Sequence, residues 1–151
     1  EHDIVLLDLI KRETHHLKEI SSLTINQNWD KFPIYPFKVI AGSPEYVSSM
    51  TQEILSQLPE SFTLHQNYPN PFNPTTTIRF AVPIPSQVNL KIYNLMGQEV
   101  TTLTRDWFSV GSHSVTWNGK DLRGVPVSAG VYIYRLQAQG FQKTRKMVLL
   151  K

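Results

Sequence analysis

Polar and apolar side chains alternate over six consecutive positions, Gln87-Val88-Asn89-Leu90-Lys91-Ile92, and Tyr93-Asn94-Leu95 follow. Val88, Leu90 and Ile92 point to one face of an extended chain, and the residues between them point to the other. Alternation with period two is typical of a strand that buries one face. A turn follows at Met96-Gly97-Gln98, where Gly97 supplies the positive φ that a tight hairpin needs. This stretch therefore predicts a β-hairpin with one buried face.

The same pattern recurs on both sides of this hairpin at short intervals. The further predicted strands are Thr75–Val82, Glu99–Thr104, Gly111–Trp117, Val131–Ala138 and Phe141–Leu150. Turn signals separate them, and the strongest is Asn118-Gly119. Six or seven short strands in about 90 residues predict an all-β fold, an immunoglobulin-like antiparallel β-sandwich. We expect Trp117, Tyr93 and Tyr134 to be its bulky core side chains.

Composition limits the classes of protein that the chain can belong to. Of its 151 residues, 40% are hydrophobic and 18% are charged, which permits a packed core and argues against a coiled coil. The net charge of +3 is too small to indicate nucleic-acid binding. Cysteine is absent, which excludes disulfides, a CxxC zinc site and a cysteine nucleophile. No apolar run approaches the roughly 18 residues of a membrane span.

Charge divides the chain into two parts. Residues 1–61 carry five basic and nine acidic side chains, a net −4, whereas residues 62–151 carry ten basic and three acidic ones, a net +7. Six of the seven glycines also lie in the second part. Such a break is typical of a domain boundary. It predicts three regions: the end of an upstream domain (1–42), a linker (43–61) and a C-terminal domain (62–151).

The first region is predicted to hold the C-terminal strands of a truncated upstream β-domain. Its candidate strands are marked by apolar spacing at Ile4–Leu9, at Leu23 and Ile25, and at Phe37 and Val39. Pro33 and Pro36 would confine the last strand to a sheet edge or delay its start to Phe37. About 40 residues seldom fold alone. Because the chain begins at Glu1 and not at Met, we interpret it as the C-terminal piece of a longer product.

Residues 43–61 are polar and open with Ser43-Pro44, which interrupts regular structure. They are predicted to form an exposed linker, and a short helix over Ser49–Gln57 is the alternative. An exposed linker is also the natural place for proteolytic cleavage.

A proline-rich segment precedes the sandwich strands, Gln66-Asn67-Tyr68-Pro69-Asn70-Pro71-Phe72-Asn73-Pro74. Each proline lacks an N–H and holds the residue before it in an extended conformation, so the segment is predicted to be rigid. We expect Tyr68 and Phe72 to pack on the sandwich and seal one end of its core. The alternative is a recognition element for a partner.

Two groups of residues superficially resemble metal or catalytic sites. His15-His16 would point to opposite sides of a strand and would not converge on one ion. Ser112-His113-Ser114, with either nearby aspartate, lacks the surroundings of a nucleophile elbow and oxyanion hole. We expect His113 to pack beside Trp117 and Asp121 to cap a turn. The sequence therefore predicts no catalytic residue, no metal site and no cofactor, and the chain is not expected to be an enzyme.

Five segments carry a family resemblance: Asn67–Ile78, Leu90–Val100, Gly111–Gly119, Gly130–Leu136 and Lys143–Lys151. Together, and in this order, they resemble the C-terminal sorting domains, type A, of the type IX secretion system. The resemblance covers residues 62–151. A related β-sandwich occurs in flagellar hook-capping proteins, which are similar in fold and serve another role.

The resemblance implies that the domain is a non-catalytic address. In this family, cargo crosses the inner membrane, reaches the outer-membrane type IX translocon, and is then released or attached to the cell surface. The implied partners are the translocon, a sortase-like processing protease and an upstream cargo domain in the same polypeptide, with no nucleic acid and no membrane span. The implied location is outside the cell or on its surface, reached through the periplasm.

The resemblance also supplies candidate residues for recognition by the translocon. They are Asn67, Tyr68, Pro69, Asn70, Pro71, Phe72, Asn73, Pro74, Gly130, Tyr132, Lys143, Arg145, Lys146 and Lys151. The segment Lys143–Lys151 mixes cations with apolar residues, which suits a docking strand that adds to a partner's sheet edge. The alternative is that it forms the last core strand and that its lysines are solvated.

Two other functions are compatible with the sequence. The first is a glycan- or protein-binding sandwich of a secreted multidomain hydrolase or adhesin, which would use the aromatic residues Tyr68, Phe72, Trp107 and Phe108. The second is a non-catalytic part of an enzyme whose catalytic domain lies upstream.

Overall fold

A computed structural model of the chain describes residues 3–17 and 36–150. The first region forms an antiparallel sheet of strands β1 (Asp3–Asp8), β2 (Glu13–His16) and β3 (Phe37–Gly42), in the order β2-β1-β3. The predicted strand at Ile4–Leu9 is thus present, shifted by one residue. The prediction at Leu23 and Ile25 lies outside the described residues.

Strand β3 begins at Phe37, directly after Pro36, and lies at an edge of the sheet. The start at Phe37 is one of the two alternatives that the prolines predict. Of the two apolar residues that marked this strand, Val39 is 66% exposed, whereas the residue of the strand that is buried is Ile40. Alternation along a short strand does not say which of its two faces meets the core.

A helix, α1, runs from Pro44 to Gln57 within residues 43–61, so the alternative of a helix over Ser49–Gln57 has the correct end and starts five residues too late. The Ser43 side chain caps it by accepting a hydrogen bond from the Tyr46 amide at 3.3 Å, and Pro44 takes a first-turn position where no N–H is needed. Val47 is buried, and Met50 and Ile54 follow on the same side at helical spacing. This apolar stripe gives the segment a surface to bury.

Helix α1 packs on β1 and β3. A small core lies between them, formed by the buried residues Val5, Leu7, Leu9, Ile40 and Val47. Val110 of the second region packs against the same core. In the described part of the chain, no helix has the length and hydropathy needed to cross a membrane.

The second region is an immunoglobulin-like all-β sandwich, as predicted. Its strands are β4 (Thr63–Leu64), β5 (Thr76–Val82), β6 (Ser86–Tyr93), β7 (Glu99–Phe108), β8 (Gly111–Trp117), β9 (Gly130–Ala138) and β10 (Phe141–Leu149). They form a four-stranded sheet, β10-β9-β6-β7, and a three-stranded sheet, β4-β5-β8. Strand neighbours in both sheets are antiparallel.

The two sheets enclose one hydrophobic core. Val88, Leu90 and Ile92 are each 0% exposed, so the alternation in β6 reports its buried face correctly. Trp117 and Tyr134 are fully buried, as predicted. Tyr93 is not a core residue, because its side chain lies on the outer face, where the Arg135 guanidinium sits 4.8 Å from its ring centre.

Two glycines take the positive φ that their turns require. Gly97 (φ 78°) closes the β6–β7 turn, as predicted. Gly119 (φ 70°) turns the chain after β8, and a Cβ at this position would lie 3.2 Å from the Pro74 carbonyl oxygen. The strands on either side of Asn118-Gly119 belong to different sheets, so this turn signal marks a crossover.

Candidate functional site

The proline-rich segment lies against the end of the last strand. The Phe72 amide donates to the Val148 carbonyl at 3.0 Å, and the Leu150 amide donates to the Phe72 carbonyl at 2.8 Å. The Asn70 side-chain oxygen accepts from the Val148 amide at 2.9 Å. Residues that lie 78 positions apart in the chain thus share one hydrogen-bonded surface, which we call the seam (residues 66–72 and 146–150).

A buried network fixes the start of the seam. The Asn67 amide donates to the Tyr134 hydroxyl at 2.9 Å, and the Asn67 Nδ2 donates to the Pro69 carbonyl and to Thr76 Oγ1 at 3.0 and 2.9 Å. The Tyr134 hydroxyl itself donates to the His65 carbonyl at 2.8 Å. The peptide bonds before Pro69 and Pro71 are cis. Because Asn67 is 2% exposed, these bonds are shielded from water.

The candidate recognition residues fall into two groups. Asn67, Phe72 and Tyr132 are buried, and Phe72 packs its ring 5.6 Å from that of Trp117. Exposed side chains belong to Tyr68, Pro69, Asn70, Pro71, Asn73, Pro74, Lys143 and Lys146. Gly130 and Arg145 are partly exposed, and Lys151 lies outside the described residues.

The expectation that Tyr68 and Phe72 both seal the core is therefore half correct. Phe72 does so, whereas Tyr68 is 80% exposed. Tyr68 pairs through its backbone with Thr77 on the neighbouring strand, and this pairing directs its side chain outward.

Two side-chain hydrogen bonds join β10 to β4 and to the residues that follow β4. The Arg145 Nε donates to the Leu64 carbonyl at 2.7 Å, and the Gln66 Nε2 donates to the Lys146 carbonyl at 2.8 Å. Arg145 thus has a structural bond, while the Lys143 and Lys146 side chains extend into solvent. Lys143–Leu149 lies within β10, at one edge of the four-stranded sheet.

Two buried tyrosines support this region. The Tyr132 hydroxyl donates to the Ser128 carbonyl at 2.7 Å, and its ring meets Trp117 edge to face at 5.2 Å. Burial raises the pKa of Tyr132 above its ordinary value. Burial also raises the pKa of Tyr134, although its hydrogen bond with Asn67 and the nearby Arg145 oppose the shift. Both hydroxyls are therefore protonated donors at neutral pH.

No hydrolase triad is assembled around His113. Its ring lies 4.9 Å from that of Phe108 and 5.7 Å from that of Phe80, and its Nε2 is 2.8 Å from the Ser109 carbonyl oxygen. The expected packing beside Trp117 is wrong, because β8 places His113 and Trp117 four residues apart along the strand. Among the described residues, no group of three or more His, Asp or Glu side chains is placed to hold a metal ion.

Asp121 caps a turn, as predicted. One carboxylate oxygen accepts from the amides of Arg123 and Val125, each at 2.9 Å, and the other accepts from the Arg123 guanidinium. The bond from the Val125 amide, followed by those from Arg123, lowers the pKa of this carboxyl below its ordinary value. Asp121 is therefore a structural residue of the loop after β8.

An open groove of 740 Å³ lies on the outer side of the three-stranded sheet, beside Tyr68. His65, Arg79 and Ser114 contribute to its walls. The aromatic set expected for a glycan-binding module is not assembled there. Phe72 is buried, and Phe108 packs edge to face on Phe80 at 5.1 Å.

Comparison with known proteins agrees with the fold. Residues 70–140 match the model of the FlgD Ig-like domain. Part of PorU from Porphyromonas gingivalis, described as dimeric and latent, is similar at 20% identity with a TM-score of 0.51, over 61% of this chain and 10% of PorU. No curated protein sequence matches the chain.

Two other solved structures are more distant. PorZ of Porphyromonas gingivalis, described as an essential bacterial surface component of its type IX secretion system, aligns at 20% identity with a TM-score of 0.43, over 75% of this chain and 14% of PorZ. The DNA glycosylase AlkC of Pseudomonas fluorescens aligns at 10% identity with a TM-score of 0.37, over 71% of this chain and 38% of AlkC. The chain thus spans a small part of each of these proteins.

Sequence reasoning missed the bonds that build the seam. It placed the two motifs at opposite ends of the domain sequence and had no means of pairing them. The available signal was the side-chain chemistry of Asn67 and Asn70, since asparagine bonds readily to backbone groups in chains that prolines hold extended.

Proposed function

We propose that residues 62–151 form a non-catalytic C-terminal sorting domain that directs an attached cargo through the type IX outer-membrane translocon. In this proposal the partners are the translocon, a sortase-like processing protease and a cargo domain in the same polypeptide. The destination is the medium or the outer cell surface, reached through the periplasm.

The observation that carries the proposal is the seam. The first and last motifs of the sorting-domain resemblance meet there, at Phe72, Val148 and Leu150. A receptor that reads a folded domain needs its contact groups in a fixed relative position, because preorganised groups lose little entropy on binding. A receptor could contact exposed side chains on both sides of the seam. They are Tyr68, Asn73 and Pro74 on one side, and Lys143 and Lys146 on the other.

The limited extent of the PorU match agrees with this role. The matched stretch is 10% of PorU, as expected if a sandwich of this type is one module of a longer polypeptide. A sorting domain also needs no catalytic or metal centre of its own, so its action would rest on shape and charge.

The experiment is a localisation assay with the full chain, residues 1–151, placed behind a periplasmic signal peptide and a fluorescent reporter. Two strains are compared, one with a working type IX system and one that lacks the translocon. We expect the reporter on the surface or in the medium only in the competent strain. Reporter retained in the periplasm of both strains would contradict the proposal.

Point variants then test whether the seam is the surface that is read. Tyr68→Ala and Lys146→Ala alter exposed side chains of the seam and leave the core intact. We expect each to raise the periplasmic fraction of the reporter. Arg105→Ala is the matched control, since Arg105 is exposed on β7, at the opposite edge of the four-stranded sheet from β10. Equal export of all three variants would show that the translocon recognises a surface other than the seam.

A further inference from the structure

The outer face of the four-stranded sheet is basic and rich in amides. Outward positions of β6, β7, β9 and β10 carry four cations, Lys91, Arg105, Arg135 and Lys146, and four amides, Gln87, Asn89, Gln137 and Gln142. We call this set the basic sheet face. Its residues alternate with the buried core positions of the same strands.

Three of the four cations of this face have no carboxylate partner among the described residues, and the fourth, Lys91, pairs with Glu99. Lys91 and Arg135 are directly paired across β6 and β9, and like charges in such pairs destabilise a sheet. Lys91 bonds to Glu99 at 2.7 Å, and this bond, with one from Thr102, lowers the pKa of Glu99. Among the described residues, Arg105, Arg135 and Lys146 have no carboxylate partner.

Arg135 is held in place by stacking, and one of its guanidinium nitrogens has no hydrogen-bond partner within the described protein. Its guanidinium stacks on Tyr93, and its buried Nε has no hydrogen-bond partner within the described protein. The buried Asn89 Oδ1, one step along the same face, also has none. The described residues contain three buried side-chain atoms that have no hydrogen-bond partner. Two of them lie on the basic sheet face, and the third belongs to Thr51. Native proteins satisfy nearly all buried polar groups, so these two neighbouring atoms distinguish this face from the rest of the described protein.

We infer that the basic sheet face binds an acidic polysaccharide. An arginine fork accommodates a carboxylate or phosphate with two parallel hydrogen bonds, and stacking on Tyr93 keeps the Arg135 fork oriented for it. Amide side chains both donate and accept hydrogen bonds, as the hydroxyl groups of a sugar require. Four strands give a surface about 15 Å across, on which an extended polymer fits.

An acidic protein partner is less well matched by the same surface. Protein interfaces centre on exposed apolar or aromatic anchors. Among the described residues of this face, Trp107 and Ile133 are only partly exposed, and the exposed large apolar side chain is that of Leu150 at one end. A repeating chain of anionic groups and hydroxyls therefore fits better than a folded acidic surface.

The test is a binding titration of the full chain with polygalacturonate, with neutral dextran as the control polymer. We expect polygalacturonate to bind and dextran not to bind. Arg135→Gln should weaken the affinity about tenfold, because it removes a charge-assisted bidentate contact. Arg79→Gln loses the same charge from the opposite sheet and should change the affinity by less than about twofold.

Three outcomes would overturn the inference. They are no binding of polygalacturonate, an equal loss in Arg135→Gln and Arg79→Gln, and binding of poly-L-glutamate at least as tight as that of polygalacturonate. The last would indicate an acidic protein partner. If circular dichroism shows that Arg135→Gln does not fold, the double variant of Arg105→Gln and Lys146→Gln decides in its place. The titration uses no translocon, so its result is independent of the sorting proposal.

Discussion

At the scale of single residues, Tyr134 connects the core to the seam. Its ring is buried among the core residues of β9, while its hydroxyl accepts from the Asn67 amide and donates to the His65 carbonyl. The position of the segment that carries Tyr68 therefore depends on one hydroxyl of a core residue. A change at Tyr134 should act on stability and on the candidate recognition surface together.

Tyr134→Phe should lower the free energy of unfolding by about 2 kcal/mol, because it leaves a buried amide at Asn67 without a partner. Urea denaturation, followed by tryptophan fluorescence, measures this change. Tyr93→Phe is the matched control. Its ring lies on the outer face and its stacking with Arg135 is kept, so the expected cost is below about 0.5 kcal/mol. Equal costs at the two positions would contradict this account of Tyr134.

The two buried tyrosines also predict a loss of stability at alkaline pH. The pKa values of Tyr132 and Tyr134 are raised in the folded state, so the unfolded chain releases these protons first as the pH rises. Their stabilisation is complete below the unfolded tyrosine pKa of about 10 and is lost as the pH rises through the folded values. Denaturation midpoints from about pH 9 to about pH 11 should fall. Tyr134→Phe should show a shallower fall, and an unchanged slope would exclude Tyr134 as a cause.

At the scale of elements, the strands of the sandwich were predictable, whereas helix α1 was predicted only as an alternative, over Ser49–Gln57. The strands follow from alternation that the core itself imposes, as at Val88, Leu90 and Ile92. In α1, serines and other polar residues separate Val47, Met50 and Ile54, so composition pointed to a linker. Spacing by three and four, together with Ser43-Pro44 as a start signal, would have indicated the helix.

The seam could not have been predicted in this way. It depends on side-chain bonds between Asn70 and Val148, and on a short parallel bridge between Phe72 and Leu149. Neither leaves a periodic pattern in the sequence. The family resemblance named the residues at both ends of the seam, and only the fold brings them into contact.

Ser43→Ala should weaken helix α1 by about 1 kcal/mol, because the Tyr46 amide loses its side-chain acceptor. Hydrogen exchange of the α1 amides measures this, since the helix rests on a small core and opens locally. Ser49→Ala is the control within the same helix, and faster exchange is not expected there. Sandwich amides should be unaffected by Ser43→Ala, and a uniform loss of protection would mean that α1 and the sandwich unfold together.

At the scale of the whole molecule, the described residues form two separate hydrophobic cores. The larger one draws its buried residues from Leu64 to Leu149, and the smaller one from Val5 to Val47. Val110 is the sandwich residue that packs against the smaller core. The side-chain bonds of Arg12 reach the carbonyls of Leu58 and Pro59, which precede the sandwich. Residue 61, where the charge pattern divides the chain, lies between these two sets of buried residues.

This division predicts that residues 62–151 fold without the first region. Loss of the contact between Val110 and the smaller core should lower the free energy of unfolding of the sandwich by at most about 1 kcal/mol. The melting temperature of the fragment should therefore lie within about 4–8 °C of that of the sandwich in the full chain. Near-UV circular dichroism of the buried Trp117 follows this transition in both. Residues 1–61 alone should lack a cooperative transition, because so small a core offsets little chain entropy.

Val110→Ser in the full chain is the matched control for this comparison. This variant removes the same apolar contact without shortening the chain. It should therefore lower the melting temperature of the sandwich about as much as deleting residues 1–61 does. A fragment that melts far below both proteins would show that the first region supports the sandwich through more than Val110. In that case the sorting, binding and stability experiments would all have to treat the two regions as a single folding unit.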